Sequence, residues 1–305
     1  MYSGSQKYTL LGFLTILIWG TSAVFTRNLS TNIGAYTSAA LVNLIGGAVV
    51  LINQLVKKEG LEEVRQLSFR YWITCGVLFV LYTALSYVSM GMVQSDEAVV
   101  TLVLIRFLWP LFTLVFTIPI LGARASWWLV CGIGVSMAGI AVVKLGGNIF
   151  DFSGFLHNMF TGNDIPGYVV GLLSAVSWGL YTNLTKKYVG NKKVDGVGIY
   201  MILTGIVLGG IALFADEPRE FSVSMIGQIL YAAIVVGAAA NTFWNLAIKK
   251  GNMLLVVLVS NFLPVISSVI TSCMLGVGVT IPILAGSVLV VAGTLWSKTC
   301  FKVFR

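Results

Sequence analysis

Arg106, Trp109 and Thr113 stand at i, i+3 and i+7 within the apolar run DEAVVTLVLIRFLWPLFTLVFTIPIL (96–121), the spacing of one helical face. A guanidinium offers a fixed charge and a planar fork of donors suited to a carboxylate. An indole beside it offers a large apolar surface with a polar handle. Pro110 follows at once, and a proline inside a helix deprives the carbonyl four residues earlier, that of Arg106, of its donor. Two readings of the cation compete: recognition of a small molecule, or a structural clamp on the freed carbonyls. Glu97 and Asp96 lie nine and ten residues earlier, too far to pair with it along one helix.

Polar stripes recur on other apolar runs. Thr15, Trp19, Ser22 and Thr26 fall at 0, 4, 7 and 11, and Ser174, Trp178, Tyr181 and Thr185 repeat that spacing. Ser260, Pro264, Ser267 and Thr271 repeat it again, while Tyr82, Ser86 and Ser89 align on another run and Asn241, Trp244 and Asn245 cluster on a fourth. Two readings of such stripes compete. Serine and threonine commonly hydrogen-bond between membrane helices, and tryptophan gathers at membrane boundaries. Several stripes converging on one space would instead build a cavity.

These residues need membrane-spanning elements to position them. The 305-residue chain is 57% hydrophobic and 10% charged, with a mean hydropathy of +0.93. Soluble domains carry about 25% charged residues, so the composition is that of a polytopic membrane protein embedded in a lipid bilayer. Ten runs approach the roughly 20 apolar residues that a crossing needs. They are Tyr8–Phe25, Ala35–Val56, Trp72–Met92, Glu97–Leu121, Trp127–Leu145, Gly167–Lys186, Val197–Phe214, Met225–Ile248, Met253–Leu275 and Ile281–Ser297. The first is expected to be retained as a helix, because Trp19-Gly20 extends it beyond a signal-peptide core.

With the N-terminus inside, fifteen of the nineteen Lys and Arg fall in cytoplasmic segments, three outside and Arg106 within the membrane. That bias predicts both termini in the cytoplasm. Lys186, Lys187, Lys249 and Lys250 then serve orientation and helix C-terminal compensation. No basic arm supports nucleic-acid binding. Cys75, Cys131, Cys273 and Cys300 lack metal or redox spacing, and His157 is the lone histidine, so neither a metal nor a cofactor is expected.

The polar stretch 148–166 divides the chain into 1–147 and 167–305, each with five runs. Gly12, Trp19 and Gly20 match Gly171, Trp178 and Gly179 at an offset of 159. Pro110, Gly122, Gly132 and Gly139 match Pro264, Gly276, Gly286 and Gly293 at an offset of 154. An odd number of crossings per half makes the second copy enter from the other side. The predicted fold is an all-α membrane protein of ten helices in two inverted five-helix repeats, a transporter architecture. Pro110 and Pro264 are then paired hinges. Trp109 and Arg106 have no like counterpart, Arg106 falling opposite Ser260. Gly205 and Gly209 form a GxxxG, and with Gly132, Gly139, Gly286 and Gly293 are expected to be packing notches.

RFLWPLFTLVF (106–116), SAVSWGLYTNLTKKY (174–188), FWNLAIKKGN (243–252) and NFLPVISS (261–268), in that order, resemble the EamA-like members of the drug/metabolite transporter superfamily, most nearly the bacterial aromatic amino acid exporter branch. The resemblance spans nearly the whole chain. It implies an exporter of the bacterial inner membrane with a central cavity opened alternately to each side, and tryptophans lining it at Trp109, Trp178 and Trp244. Two features depart from the pattern: LGARAS and LGVGVT lack the glutamate common after LG in the superfamily, and Arg106 is foreign to the aromatic amino acid branch.

The expected substrate is an amino acid or similar amphipathic metabolite, its ring against Trp109, Trp178, Trp244, Trp19, Tyr82 or Tyr181. Its polar end would meet Arg106, Asn245, Ser260 or Ser267. With no acid in mid-helix, facilitated export is expected over proton antiport. Organic cations or anionic metabolites are the alternatives within the superfamily. A polytopic membrane enzyme or a signalling subunit is more remote, since no reactive groups cluster. A monomer or weak dimer is expected.

Overall fold

The computed structural model describes residues 4–56, 67–145, 162–189, 196–251, 256, 259–260 and 262–300. All its regular elements are helical: α1 (Gly4–Asn32), α2 (Ala35–Val56), α3 (Phe69–Met92), α4 (Asp96–Arg106), α5 (Trp109–Leu121), α6 (Leu129–Leu145), α7 (Ile165–Val189), α8 (Val197–Ala212), α9 (Val223–Leu230), a π-helical stretch (Tyr231–Ala239), α10 (Ala240–Lys250), α11 (Leu263–Leu275) and α12 (Ile281–Thr299). Among the described residues, seven helical spans are long and apolar enough to cross a membrane, α4 with α5 and α9 to Trp244 each counting as one. Three shorter apolar helices accompany them: Leu129–Val143, Val197–Ala212 and Leu263–Leu275. Leu17, Ile52, Val130, Ile206 and Val288 stay exposed on the bundle's outside, as lipid-facing side chains would.

Caps and turns punctuate the apolar runs. Ser68, Ser95 and Ser222 accept from the backbone N–H three residues on, opening α3, α4 and α9. Gly122 and Gly276 close α5 and α11 with φ near +70°, a conformation that glycine adopts without a Cβ penalty.

The stretch 96–121 departs from expectation. It is two helices meeting at a turn, Phe107–Leu108, and Pro110 lies in the first turn of α5, where its missing N–H costs nothing. The expected kink is a break. Thr113 therefore does not continue the face of Arg106; its hydroxyl donates to Trp109 O and its carbonyl accepts from Asn183 Nδ2 at 2.8 Å. α11 repeats the device, with 13 residues, Pro264 in its first turn and glycine at its end. The span Met225–Ile248 also departs, carrying the π-helical stretch in its middle. Of the connecting stretch 148–166 and the ninth run, the parts 148–161, 253–255, 257–258 and 261 lie outside the described residues, as does His157.

Two pairs of helices pack closely along their lengths, α6 on α12 and α2 on α8. At the first, glycines let backbones touch: a Cβ on Gly139 would lie 2.5 Å from Gly286 O, and one on Gly132 would lie 2.9 Å from Gly293 O. At the second, a Cβ on Gly205 would meet Leu44, whereas Gly209 is looser, with Ala40 Cβ at 3.6 Å. Elsewhere α3 packs on α7 and α1 on α10, while α5 packs on α7 and α1 on α11.

The end of the bundle that carries the α1–α2 turn is here called distal, and the end where α1 begins proximal. Glu217, between α8 and α9, caps α2 at the distal end. Its Oε1 accepts from Tyr36 N at 2.7 Å, and its Oε2 from Thr37 N at 2.9 Å and Thr37 Oγ1 at 2.6 Å. Gly34, at φ +106°, leaves room for that carboxylate, since a Cβ there would sit 2.6 Å from Glu217 Oε1. Glu217→Ala should lower stability by about 1–2 kcal/mol, the usual worth of a helix cap, read as a lower Tm in detergent. Glu217→Gln, which keeps one acceptor, should lose less.

Candidate functional site

The inner helices leave a cavity of about 260 Å³ at the centre of the bundle. Trp19, Ser22 and Thr26 line it from α1, and Asn43 from α2. α3 contributes Phe79, Tyr82, Thr83, Ser86 and Tyr87, at 0, 3, 4, 7 and 8, the broad face of a helix. The α4–α5 break contributes Arg106, Phe107 and Trp109; α7 contributes Trp178, and α8 Met201. Val236 and Gly237 of the π stretch, Asn241 of α10 and Leu263 at the start of α11 complete the wall.

Eight of the lining residues are aromatic. Tyr82 and Trp178 have centroids 4.4 Å apart, and Trp109 stands edge-on to Trp178 at 6.4 Å. Phe79 lies 6.2 Å from Trp178. Such pairs contribute roughly 0.5–1.5 kcal/mol each beyond their burial, which keeps the ring faces ordered for a guest ring to stack on.

Arg106 is the one charged side chain among the described residues lining the cavity. Its Nε is buried without a hydrogen-bond partner, and its charge is within electrostatic reach of Tyr87. Asp96 and Glu97 lie at the other end of α4, about 15 Å away at 1.5 Å per residue.

The π stretch has a cause and a use. Its sequence, YAAIVVGAA, is mostly small residues, so the widened backbone can sit against α1 and α2. Thr15 Oγ1 donates to Ala240 O at 3.2 Å where the α-helix resumes, and Thr21 Oγ1 meets Tyr231 Oη at 3.0 Å. Stretches of this kind recur at functional sites, and here Gly237 within it faces the cavity.

At the distal end, hydrogen bonds tie neighbouring elements together. Arg27 Nη1 donates to Met90 O at 2.6 Å and Nη2 to Gln94 O at 3.4 Å, linking α1 to α3. Gln94 N donates to Asp164 Oδ1 at 2.7 Å, bringing in the start of α7. Asp96 and Asp164 are both near enough to attract the Arg27 charge. α1, α2 and α3 pack on one another; among the described residues, the π stretch and α10 make no comparable contact with α7 and α8.

Five of the expected site residues meet in the cavity: Trp19, Tyr82, Arg106, Trp109 and Trp178. Tyr181 is buried behind Trp178, at 5.1 Å, and supports that ring without reaching the space. Trp244 lies against Trp19, the two rings tilted with centroids 5.3 Å apart, and is off the cavity wall. Ser267 is fully buried and donates to Gly20 O at 3.0 Å, so its hydroxyl serves the contact between α11 and α1. Ser260 is partly buried and off the cavity wall, and the Asn245 side chain lies outside the described residues. Pro110 and Pro264 start helices beside the cavity, as described above. Phe79, Thr83, Tyr87, Asn43 and Met201 were not anticipated. The 0, 3, 4, 7, 8 pattern of α3 and Asn43, deep within the apolar α2, were the signals for four of them.

A single family model, the EamA-like transporter family, matches this chain twice, over residues 6–145 and 165–299. The aromatic amino acid exporter YddG of Salmonella typhimurium is 28% identical over 97% of this chain and 98% of its own length. YddG of Escherichia coli is 26% identical over 96% and 98%. YddG of Ancylobacter novellus is 28% identical over 86% of each. A solved crystal structure superposes with a TM-score of 0.68 at 21% identity, covering 98% of this chain and 100% of the other, a likeness of fold.

Proposed function

This chain belongs to the EamA-like transporter family, and we propose that it exports small amphipathic carboxylates, amino acids with aromatic or large apolar side chains among them, across the bacterial inner membrane. The observation that carries the reading is the central cavity, walled by Trp19, Tyr82, Trp109 and Trp178 with Arg106 at its edge. A substrate ring stacks among the indoles while its carboxylate meets the guanidinium. The relatives named above are aromatic amino acid exporters, which agrees with that chemistry. Arg106 in the wall opposes an organic cation.

Transport proceeds by alternating access between two inverted five-helix repeats that cross the membrane ten times. Support comes from the double family match and from the twin α5 and α11, each opened by proline and closed by left-handed glycine. It comes also from the packing, in which α3 on α7 exchanges with α1 on α10, and α6 on α12 maps onto itself. The Lys and Arg bias sets both termini in the cytoplasm, which makes the distal end periplasmic. The arrangement described is then closed outward by Arg27. No carboxylate among the described residues lines the cavity, which favours facilitated export.

The test is efflux from proteoliposomes loaded with tryptophan or alanine. The wild type should release tryptophan about tenfold faster than alanine, as a few ring contacts of this size allow. Trp178→Ala should abolish most of that preference. Equal rates for both amino acids would sink the reading, and loss of tryptophan efflux on collapse of a pH gradient would replace facilitation by proton coupling.

A further inference from the structure

We propose that the cavity selects its aromatic guest by net charge, and takes monoanionic aryl carboxylates that lack an α-ammonium group more tightly than the matching zwitterionic amino acids. The proposal rests on the reading of the cavity as the substrate site.

Charge balance at membrane depth governs what this cavity can hold. Arg106 is a permanent cation lining the cavity, its Nε lacks a protein partner, and no Asp or Glu among the described residues faces it across that space. The described acids gather elsewhere. Asp96 and Glu97 open α4, Asp164 is held by Gln94 N, and Asp216, Glu217 and Glu220 lie between α8 and α9. The helix ends do not restore balance. Arg106 sits in the last turn of α4, whose terminus offsets at most about half a charge. The first turns of α5 and α11, neither capped by a side chain, face the same region with Trp109 and Leu263 on the wall and add partial positive charge.

A monoanion neutralises this site. A zwitterion brings its own ammonium, which finds hydroxyl, amide and carbonyl oxygens such as those of Ser22, Thr26 and Asn43 but no counter-charge. The site plus a zwitterion stays cationic at membrane depth, where uncompensated charge is expensive. A primary amine adds a second positive charge. The chemical class indicated is therefore an aromatic ring on a short chain ending in a carboxylate: aryl-alkanoic acids and 2-oxo acids ahead of amino acids.

Three compounds with one ring and one spacing isolate the variable: 3-phenylpropionate, phenylalanine and phenethylamine. Each is titrated into the purified full-length protein in detergent, read by quenching of the cavity tryptophans and by thermal stabilisation. The expected order of Kd is phenylpropionate below phenylalanine by about tenfold, with phenethylamine weakest by a further tenfold or more. Arg106→Gln should erase the advantage of phenylpropionate over phenylalanine. Arg106→Lys, which keeps the charge without the fork, should preserve its direction. Phenylalanine binding as tightly as phenylpropionate, or tighter, would overturn the charge selection and leave the aromatic exporter reading intact. Failure of all three compounds to bind would remove that reading and the charge selection with it. The wild-type series decides the matter even if an Arg106 variant does not fold.

Discussion

Gly293→Leu is expected to yield no monodisperse protein on extraction, while Gly134→Leu, on the partner helix, extracts as the wild type does. At Gly293 the backbones of α6 and α12 cross so closely that a single added carbon would lie 2.5 Å from Gly132 O and from Ser136 N. Neither atom can retreat, because Ser136 Oγ also donates to Val290 O at 3.3 Å within the same contact. An overpacked side chain usually costs about 1–3 kcal/mol when flexible neighbours can adjust. Four carbons driven into backbone exceed that range and separate the two helices. Gly134 has nothing within 4 Å of its Cβ position. Fluorescence-detected size exclusion compares the two, and a normal peak for Gly293→Leu would mean that α6 and α12 do not meet as described.

Arg27→Ala is the second large effect, this time on conformation. Hydrogen bonds from a charged donor contribute about 1.5–3 kcal/mol each, and Arg27 makes a short one to Met90 O and a longer one to Gln94 O. Their loss should shift the balance toward the state open at the distal end by about tenfold or more. In a background without the four native cysteines, Thr26→Cys, one residue away and on the cavity wall, reports the opening. Its labelling by a membrane-impermeant maleimide applied on the distal side should accelerate by that factor when Arg27 is alanine. Unchanged labelling would show that α1 and α3 are held together by packing alone. Arg27→Lys should restore part of the closure, because one ammonium can reach a carbonyl but cannot bridge two as a fork does.

Much of this was legible because membrane helices write themselves in apolar runs and landmark residues. The offsets that join Pro110 to Pro264 and Gly122 to Gly276 correspond to real twins, helices of the same length with the same first turn and the same left-handed end. Arg106, Trp109 and Trp178 were visible as oddities, and oddities in an apolar run face protein or a cavity. What stayed hidden was of two kinds. The π stretch leaves no periodic mark, because small residues such as Ala232, Ala233 and Gly237 suit either winding. The serine stripe at Ser267 was misleading because a hydroxyl at helical spacing serves a carbonyl across a helix contact as readily as a ligand, and only the position of Gly20 decides between them. Pro110 was misplaced for a related reason: proline is at home in a first turn, and a long apolar run conceals that a second helix begins there.

The division of 96–121 into two helices bears on how the chain enters the bilayer during synthesis. This segment carries the cation of the cavity, and an arginine near the centre of an inserting helix costs about 2.5–3.5 kcal/mol at the translocon. Against it stand sixteen Leu, Ile, Val and Phe residues in the same segment, each favouring insertion by about 0.3–0.6 kcal/mol, or about 5–10 kcal/mol together. The segment can therefore partition into lipid on its own, before α7 or α11 exists to shelter the guanidinium. The first half of the chain need not wait for the second to be threaded, and the break at Phe107–Leu108 can form later, when the partner helices arrive to cover it.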